Sequence, residues 1–208
     1  MFIEPRQHQR HSQDRIGWIE VICGSMFSGK TEELIRRINR AIIAQQEVRI
    51  FKPALDVRYD SSRVVSHNKN ALSSFPITHS SEILEKLGNC KVVAIDEAQF
   101  FDSELTNVCV KLANDGCRVI VSGLDMDYLG KPFGEMPNLM AVAEYVTKLH
   151  AICVQCGEVA MYSYRLALSE KQVLLGEKKE YEARCRKCFY KGIQEKLESQ
   201  KTLFQSNK

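Results

Sequence analysis

The run GSMFSGKT, from Gly24 to Thr31, sets two glycines, a lysine and a hydroxyl residue in the spacing G-x-x-x-x-G-K-[ST]. That spacing suits the cradling of phosphate groups. Glycines at both ends let successive backbone N–H groups converge on anionic oxygens, and a helix opening at the loop adds the positive end of its dipole. Lys30 brings a mobile positive charge for the β- and γ-phosphates of a nucleoside triphosphate, and Thr31 offers a hydroxyl to magnesium. The flanking sequence fits. An apolar, strand-like run from Trp18 to Cys23 leads in, and Leu34, Ile35, Ile38, Ala41 and Ile42 follow at helical spacing. Gly24, Ser25, Met26, Phe27, Ser28, Gly29, Lys30 and Thr31 are therefore expected to bind ATP, against the alternative of a Gly-rich turn before an ordinary helix.

A second set of groups closes the apolar run KVVAIDEAQFF, where Asp96 and Glu97 stand side by side. Ligands of a parallel sheet lie at the carboxyl ends of its strands, so both acids should face the phosphate loop. Asp96 is the expected magnesium partner, directly or through water. Adjacent strand residues point to opposite faces, which leaves Glu97 free to accept a proton from an attacking hydroxyl or to orient a water. The alternative is an acidic strand end that caps a helix near Ser103.

The third set is sulfur. Cys153 with Cys156 and Cys185 with Cys188 form two C-x-x-C pairs, a donor set for tetrahedral zinc with no open position for substrate. The metal is thus expected to hold structure, and the long spacer between the pairs must carry structure of its own. A redox or disulfide pairing is the rival. Cys23, Cys90, Cys109 and Cys117 lie in or beside apolar runs and read as small core residues. No apolar leader or membrane-length stretch occurs, which points to a reducing, cytoplasmic setting. A net charge of +3 over 208 residues argues against a protein built to coat nucleic acid, and neither nucleic acid nor membrane is an expected partner. Arg36, Arg37 and Arg40 read as the solvated side of the first helix.

The positioning elements follow in order. A strand at about 18–23, the phosphate loop and a helix to about Gln45 lead to a strand at about 47–52 that ends at Pro53. A polar, irregular stretch runs from Asp56 to His79, too long for an ordinary connection. Then come a short helix opened by Ser80 or Ser81, the acidic strand, a helix near 103–114 stopped by Asp115-Gly116, and the strand CRVIVSG with the loop LDMDYLGKPFG. Pro137 opens a further helix to about Leu149. Alternating strands and helices imply an α/β fold on a mainly parallel sheet, with helices on both faces. The expected divisions are an extension at 1–17, an ATP-binding α/β domain at 18–149, a four-cysteine zinc domain with a substrate lid at 150–192, and a charged tail at 193–208.

GSMFSGKT, KPALDVRY, DEAQFF, GLDMDYLGKPFG and the two cysteine pairs occur in the order found in thymidine kinases of the type II, zinc-containing family, which the chain resembles from about Trp18 to Tyr190. The resemblance implies a P-loop (RecA-like) fold, a structural zinc, a homotetramer, and transfer of the ATP γ-phosphate to the 5′-hydroxyl of thymidine with magnesium. It leaves room for feedback inhibition by thymidine triphosphate. It implies Glu97 as general base beside Lys30 and Arg58 as catalytic groups, and adds Asp56, Arg58, Asp96, Glu97, Ala98 and Gln99 to the ATP site. For the nucleoside it implies Phe100, Tyr128, Phe133 and Tyr181, with a lid over the base formed by Gln172, Val173, Leu174, Leu175 and Gly176. Tyr128 departs from the Phe common in the family, and Phe133 serves equally well as core packing. Three other readings stay open: a nucleic-acid-stimulated ATPase in which Glu97 activates water, a kinase preferring another nucleoside such as deoxyuridine, and a zinc-stabilised nucleotide-binding module.

Overall fold

The computed structural model describes residues 16–55, 63–65, 71–166 and 180–206. Trp18–Gly24 (β1) enters the phosphate loop and Lys30–Ile43 (α1) leaves it, followed by Val48–Pro53 (β2). Arg63–Val65 (β3) pairs antiparallel with Ala71–Ser73 (β4), and Phe75–Ile77 (β5) returns to the main sheet. Glu82–Lys86 (α2), Val92–Ile95 (β6), Leu105–Asn114 (α3), Arg118–Gly123 (β7), Met136–Val142 (α4) and Tyr145–Leu149 (β8) complete the α/β part. Beyond it lie Ala151–Ile152 (β9), Val159–Ala160 (β10), Tyr162–Arg165 (β11), Tyr181–Arg184 (β12) and Arg186–Ser206 (α5).

Six strands form one sheet in the order β5-β2-β6-β7-β1-β8, and every pairing in it is parallel. Period-two alternation sends Ile19, Val21, Cys23, Val93, Ile95, Val119 and Val121 to the face covered by α2, α3 and α4. Ile22, Val92, Ala94 and Ile120 face the other way, against Leu34, Ile35, Ile38 and Ala41 of α1. Helices thus cover both faces, as strands that are apolar on each side require. Cys23, Cys90, Cys109 and Cys117 are buried and unbridged, and burial pushes the Cys109 thiol up to about 12.

Three sequence expectations change. Residues 145–149 form a strand, where a helix was expected to continue to Leu149: Ala143 turns extended, and YVTKL alternates half-buried and exposed positions along the sheet edge beside β1. Part of the stretch at 56–79 is regular, since Phe75–Ile77 adds the outermost strand beside β2. Pro76 is tolerated there because an edge strand needs no N–H on its open side.

The third change is Arg37, which lies on the sheet side of α1 with no exposed surface. Its Nη1 donates to Glu20 Oε2 at 2.9 Å, its Nε to Glu33 Oε1 at 2.8 Å and its Nη2 to the Thr147 hydroxyl at 2.9 Å. Glu20, itself fully buried in β1, also accepts from Arg118 Nε at 2.7 Å and from the Trp18 indole at 2.6 Å. A lone acid in an apolar strand draws cations inward because an unpaired buried charge is too costly. We predict that Arg37→Met lowers unfolding stability by roughly 3–5 kcal/mol in urea titrations. A loss below about 1 kcal/mol would mean that desolvation of the guanidinium cancels what its partners return.

Candidate active site and four-cysteine module

The phosphate loop sits at the carboxyl end of β1, between the ends of β7 and β8. Gly24 has φ 143, and a Cβ there would meet the Leu149 carbonyl oxygen at 2.2 Å, so no larger residue fits. Gly29 has φ 87 and starts α1 without a side-chain cap. Lys30 Nζ donates to the Ser25 carbonyl at 2.8 Å, which folds the lysine back over the loop. The hydroxyls of Ser25 and Ser28 are buried with no hydrogen-bond partner among the described residues. This loop therefore holds more polar groups than the protein satisfies, and an anion lodged at the helix N-terminus would meet that surplus.

Asp96 and Glu97 follow the last residue of β6, where the chain turns. Glu97 takes the left-handed conformation, φ 51 and ψ 41, which is costly for a non-glycine residue and recurs at functional sites. Both acids lie past the last residue of β6, so strand pleating does not set their directions. Glu97 N–H donates to Asp96 Oδ1 at 3.0 Å, and Gln99 Nε2 donates to Glu97 Oε2 at 2.5 Å. Gln99 Oε1 in turn accepts from Leu124 N–H at 2.9 Å, so this buried amide ties the Glu97 carboxylate to the loop after β7. Ala98 is buried behind it.

Burial, and next the neighbouring Glu97 charge, raise the Asp96 carboxyl from 3.8 to about 7; the Ser122 hydroxyl, the Glu97 N–H and Lys30 offset this only in part. A buried carboxyl that binds its proton this tightly suits a cation ligand, because a divalent ion replaces the proton. Thr31, in the first turn of α1, and Asp96 each offer an oxygen of the kind magnesium takes.

Phe100 and Phe133 meet edge-on, ring centroids 5.6 Å apart, with Phe133 almost fully buried. Tyr128 is half-buried in the loop after β7, and Tyr181 is buried in β12. The guanidinium of Arg165 lies 3.6 Å over the Tyr128 ring, a contact that the sequence did not reveal. Asp56, Arg58 and the lid positions Gln172, Val173, Leu174, Leu175 and Gly176 lie outside the described residues.

Two more groups escaped the sequence reading. Asp125, buried just past β7, pairs with Lys148 Nζ at 2.7 Å across the end of β1, and its Oδ1 has no partner among the described residues. An acid closing an apolar strand, as at Asp96, was the available signal; Lys148 was hidden by the expected helix. Ser163 in β11 accepts from Met26 N–H at 3.0 Å and so joins the cysteine module to the phosphate loop.

The module is built at a single point. Sulfurs of Cys153, Cys156, Cys185 and Cys188 all lie within 4.8 Å of one another, and Cys156 and Cys185 are 3.6 Å apart. Four thiolates about 2.3 Å from a tetrahedral zinc would stand about 3.8 Å apart, so the set fits that ion. Burial raises the Cys153 thiol, but backbone N–H groups of Cys185, Gln155 and Cys156 outweigh it and bring it down to about 6. Cys188 is pushed up to about 12, first by its hydrogen bond to Cys185. Four crowded thiols cannot all ionise unless a cation joins them. Phe27 of the phosphate loop packs on the same cluster, with Ala151, Ala160 and Ala183.

A phosphate-cradling loop on a parallel sheet, two carboxylates at the neighbouring strand end and a closed four-sulfur site define a P-loop nucleotide-binding α/β protein with a zinc-type module. The chain matches the thymidine kinase family over residues 17–189. It is 59% identical to a thymidine kinase of Bacteroides fragilis over 184 residues, 88% of this chain and 92% of that protein. It is 60% identical to one of Rhodothermus over 174 residues, 84% of this chain and 82% of the relative, and 56% identical to one of Porphyromonas gingivalis over 177 residues, 85% and 87%. This chain belongs to the thymidine kinase family. No described helix is long and apolar enough to cross a membrane.

Two predictions concern this region. The folded value of Asp96 lies above its ordinary one, so the native state binds the proton more tightly, and Asp96 costs stability as pH rises from about 4 through about 7. Asp96→Asn is expected to melt higher than the parent near pH 8 without nucleotide, with the gap closing near pH 4; equal gaps at both ends would refute the assignment. Cys185→Ala is expected to lose bound zinc and several kcal/mol of stability, read as metal content and melting temperature. An unchanged melting temperature would remove the structural role.

Proposed function

We propose that the protein is an ATP-dependent thymidine kinase of pyrimidine salvage, giving thymidine monophosphate and ADP. The observation that carries this reading is the placement of Glu97. Its backbone takes a left-handed turn just past β6, and its carboxylate is held by Gln99 beside Asp96. Family membership supplies the substrate class.

On this reading the Glu97 carboxylate takes the proton of the thymidine 5′-hydroxyl while that oxygen forms a bond to the γ-phosphorus. The bond from the γ-phosphorus to the β,γ-bridging oxygen breaks, and its electron pair stays on ADP. Lys30 and the loop N–H groups hold the triphosphate and the charge that gathers on it. Thr31 and Asp96 would hold magnesium, which would supply positive charge to offset that of the triphosphate. Arg58 would stabilise the transferring group, and Asp56, Ala98 and Gln99 complete the ATP site, where Gln99 acts by orienting Glu97. Phe100, Tyr128, Phe133 and Tyr181 border the base, and 172–176 cover it.

The same reading carries a zinc domain at 150–192, an ATP-binding domain at 18–149, a homotetrameric assembly, feedback by thymidine triphosphate and a cytoplasmic setting. Free cysteines throughout the described chain support a reducing compartment.

The test offers labelled ATP and magnesium with thymidine, deoxyuridine, deoxycytidine or single-stranded DNA. Labelled thymidine monophosphate is expected; phosphate release that requires DNA would overturn the reading. Glu97→Gln is expected to bind ATP and fold normally while turnover falls roughly 10²–10⁴-fold. Turnover near the parent's would remove Glu97 as the base.

A further inference from the structure

The hairpin of β11 and β12 has two working faces. Tyr162 and Tyr164 point to α5, where Tyr162 stacks on Phe189 at 4.4 Å and the Tyr164 hydroxyl donates to the Gly192 carbonyl at 2.9 Å. Strand alternation sends Ser163 and Arg165 to the opposite face, and Ser163 there accepts from Met26 of the phosphate loop. Arg165 is only 2% exposed. It stands directly across from Tyr181 in the antiparallel register, and its Nε and Nη2 donate to the Tyr181 hydroxyl at 3.1 and 2.7 Å. The central carbon of the same guanidinium lies over the Tyr128 ring, 3.6 Å from its centroid.

We propose that Arg165 is the positioning residue of the nucleoside pocket, joining Tyr128 from the loop after β7 and Tyr181 from the hairpin into one fixed aromatic wall. The proposal rests on the reading that these two rings border thymidine. The guanidinium reaches the Tyr181 hydroxyl through two of its nitrogens while its central carbon lies over the Tyr128 ring, and the single ammonium of lysine cannot reproduce that two-nitrogen fork. The guanidinium also takes up one face of Tyr128, so the base cannot stack there. A tyrosine suits this position because its ring face attracts the cation as phenylalanine's does, and the hydroxyl needs no part in the stack. The backbone of Arg165 is held from behind: Lys196 of α5 donates to its carbonyl oxygen and lies 4.6 Å from the Tyr164 ring. Residues of α5 beyond the family match at 17–189 thereby brace the strand that carries Arg165.

The test is steady-state kinetics of Arg165→Lys and Tyr181→Phe, singly and combined, on the full-length, zinc-loaded protein. Arg165→Lys is expected to raise KM for thymidine about tenfold, with kcat and KM for ATP within about twofold of the parent. Tyr181→Phe, which removes one hydroxyl and leaves the ring, is expected to raise KM for thymidine less. The double variant should rise by less than the product of the two, because both lose one shared contact. A purely structural role would instead lower melting temperature and kcat alike for every substrate and leave KM for thymidine unmoved. That pattern, in either single variant, would overturn the proposal. If the parent itself fails to phosphorylate thymidine, the function falls and the positioning role with it; if the parent is active and KM does not move, only the role of Arg165 falls.

Discussion

Glu20 is the charge around which the lower half of the sheet is assembled. It sits on β1, and its two oxygens hold Arg37 of α1 and Arg118 of β7, while Arg37 reaches on to Thr147 of β8. Three neighbouring strands and the helix that follows the phosphate loop are thereby fixed relative to one another by directed bonds. Apolar packing alone would set the distance of α1 from the sheet but leave its rotation and axial slide to be decided by side-chain shape. A rotated α1 would carry Lys30 and Thr31 with it, so a network at one end of the strands governs phosphate geometry at the other.

The opposite end of the sheet is held by the cysteine module. Phe27 packs on the apolar cluster that holds three of the four cysteines and Met26 donates to Ser163, so the tip of the phosphate loop is clamped to the four-cysteine module. A zinc held by the four thiolates would act on the reaction at a distance, by keeping the hairpin and its inward face against the loop. Four sulfur ligands would leave it no open coordination position with which to act directly.

Much of this was legible in the sequence because the chemistry demands rare residues at fixed spacing. The phosphate loop, the Asp96-Glu97 pair and the four cysteines each form with the residues and near the boundaries that spacing alone predicted. What escaped was decided by tertiary contact. YVTKL after α4 opens with three strand-favouring residues, a signal overridden by extending the helix that Pro137 begins, and the edge of β1 gives it a partner. Arg37 follows the charge pattern of a solvated helix face, and only the buried acid on the strand beneath pulls it in. Arg165 sits in an alternating polar and aromatic strand, and its partners come from a loop and a strand distant in sequence.

His150 alone separates the end of β8 from the start of β9. That junction has no slack, and the Leu149 carbonyl beside it presses on the position where Gly24 would carry a side chain. The cysteine module is accordingly joined as an extension of the sheet's edge strand, without a tether that would let it swing. Lengthening the chain by even one residue here would shift the module along the strand and reverse which faces of it look inward. Variation across relatives should therefore collect in the surface connections, while the spacing from Gly24 through Leu149 to Cys153 behaves as a single fixed measurement.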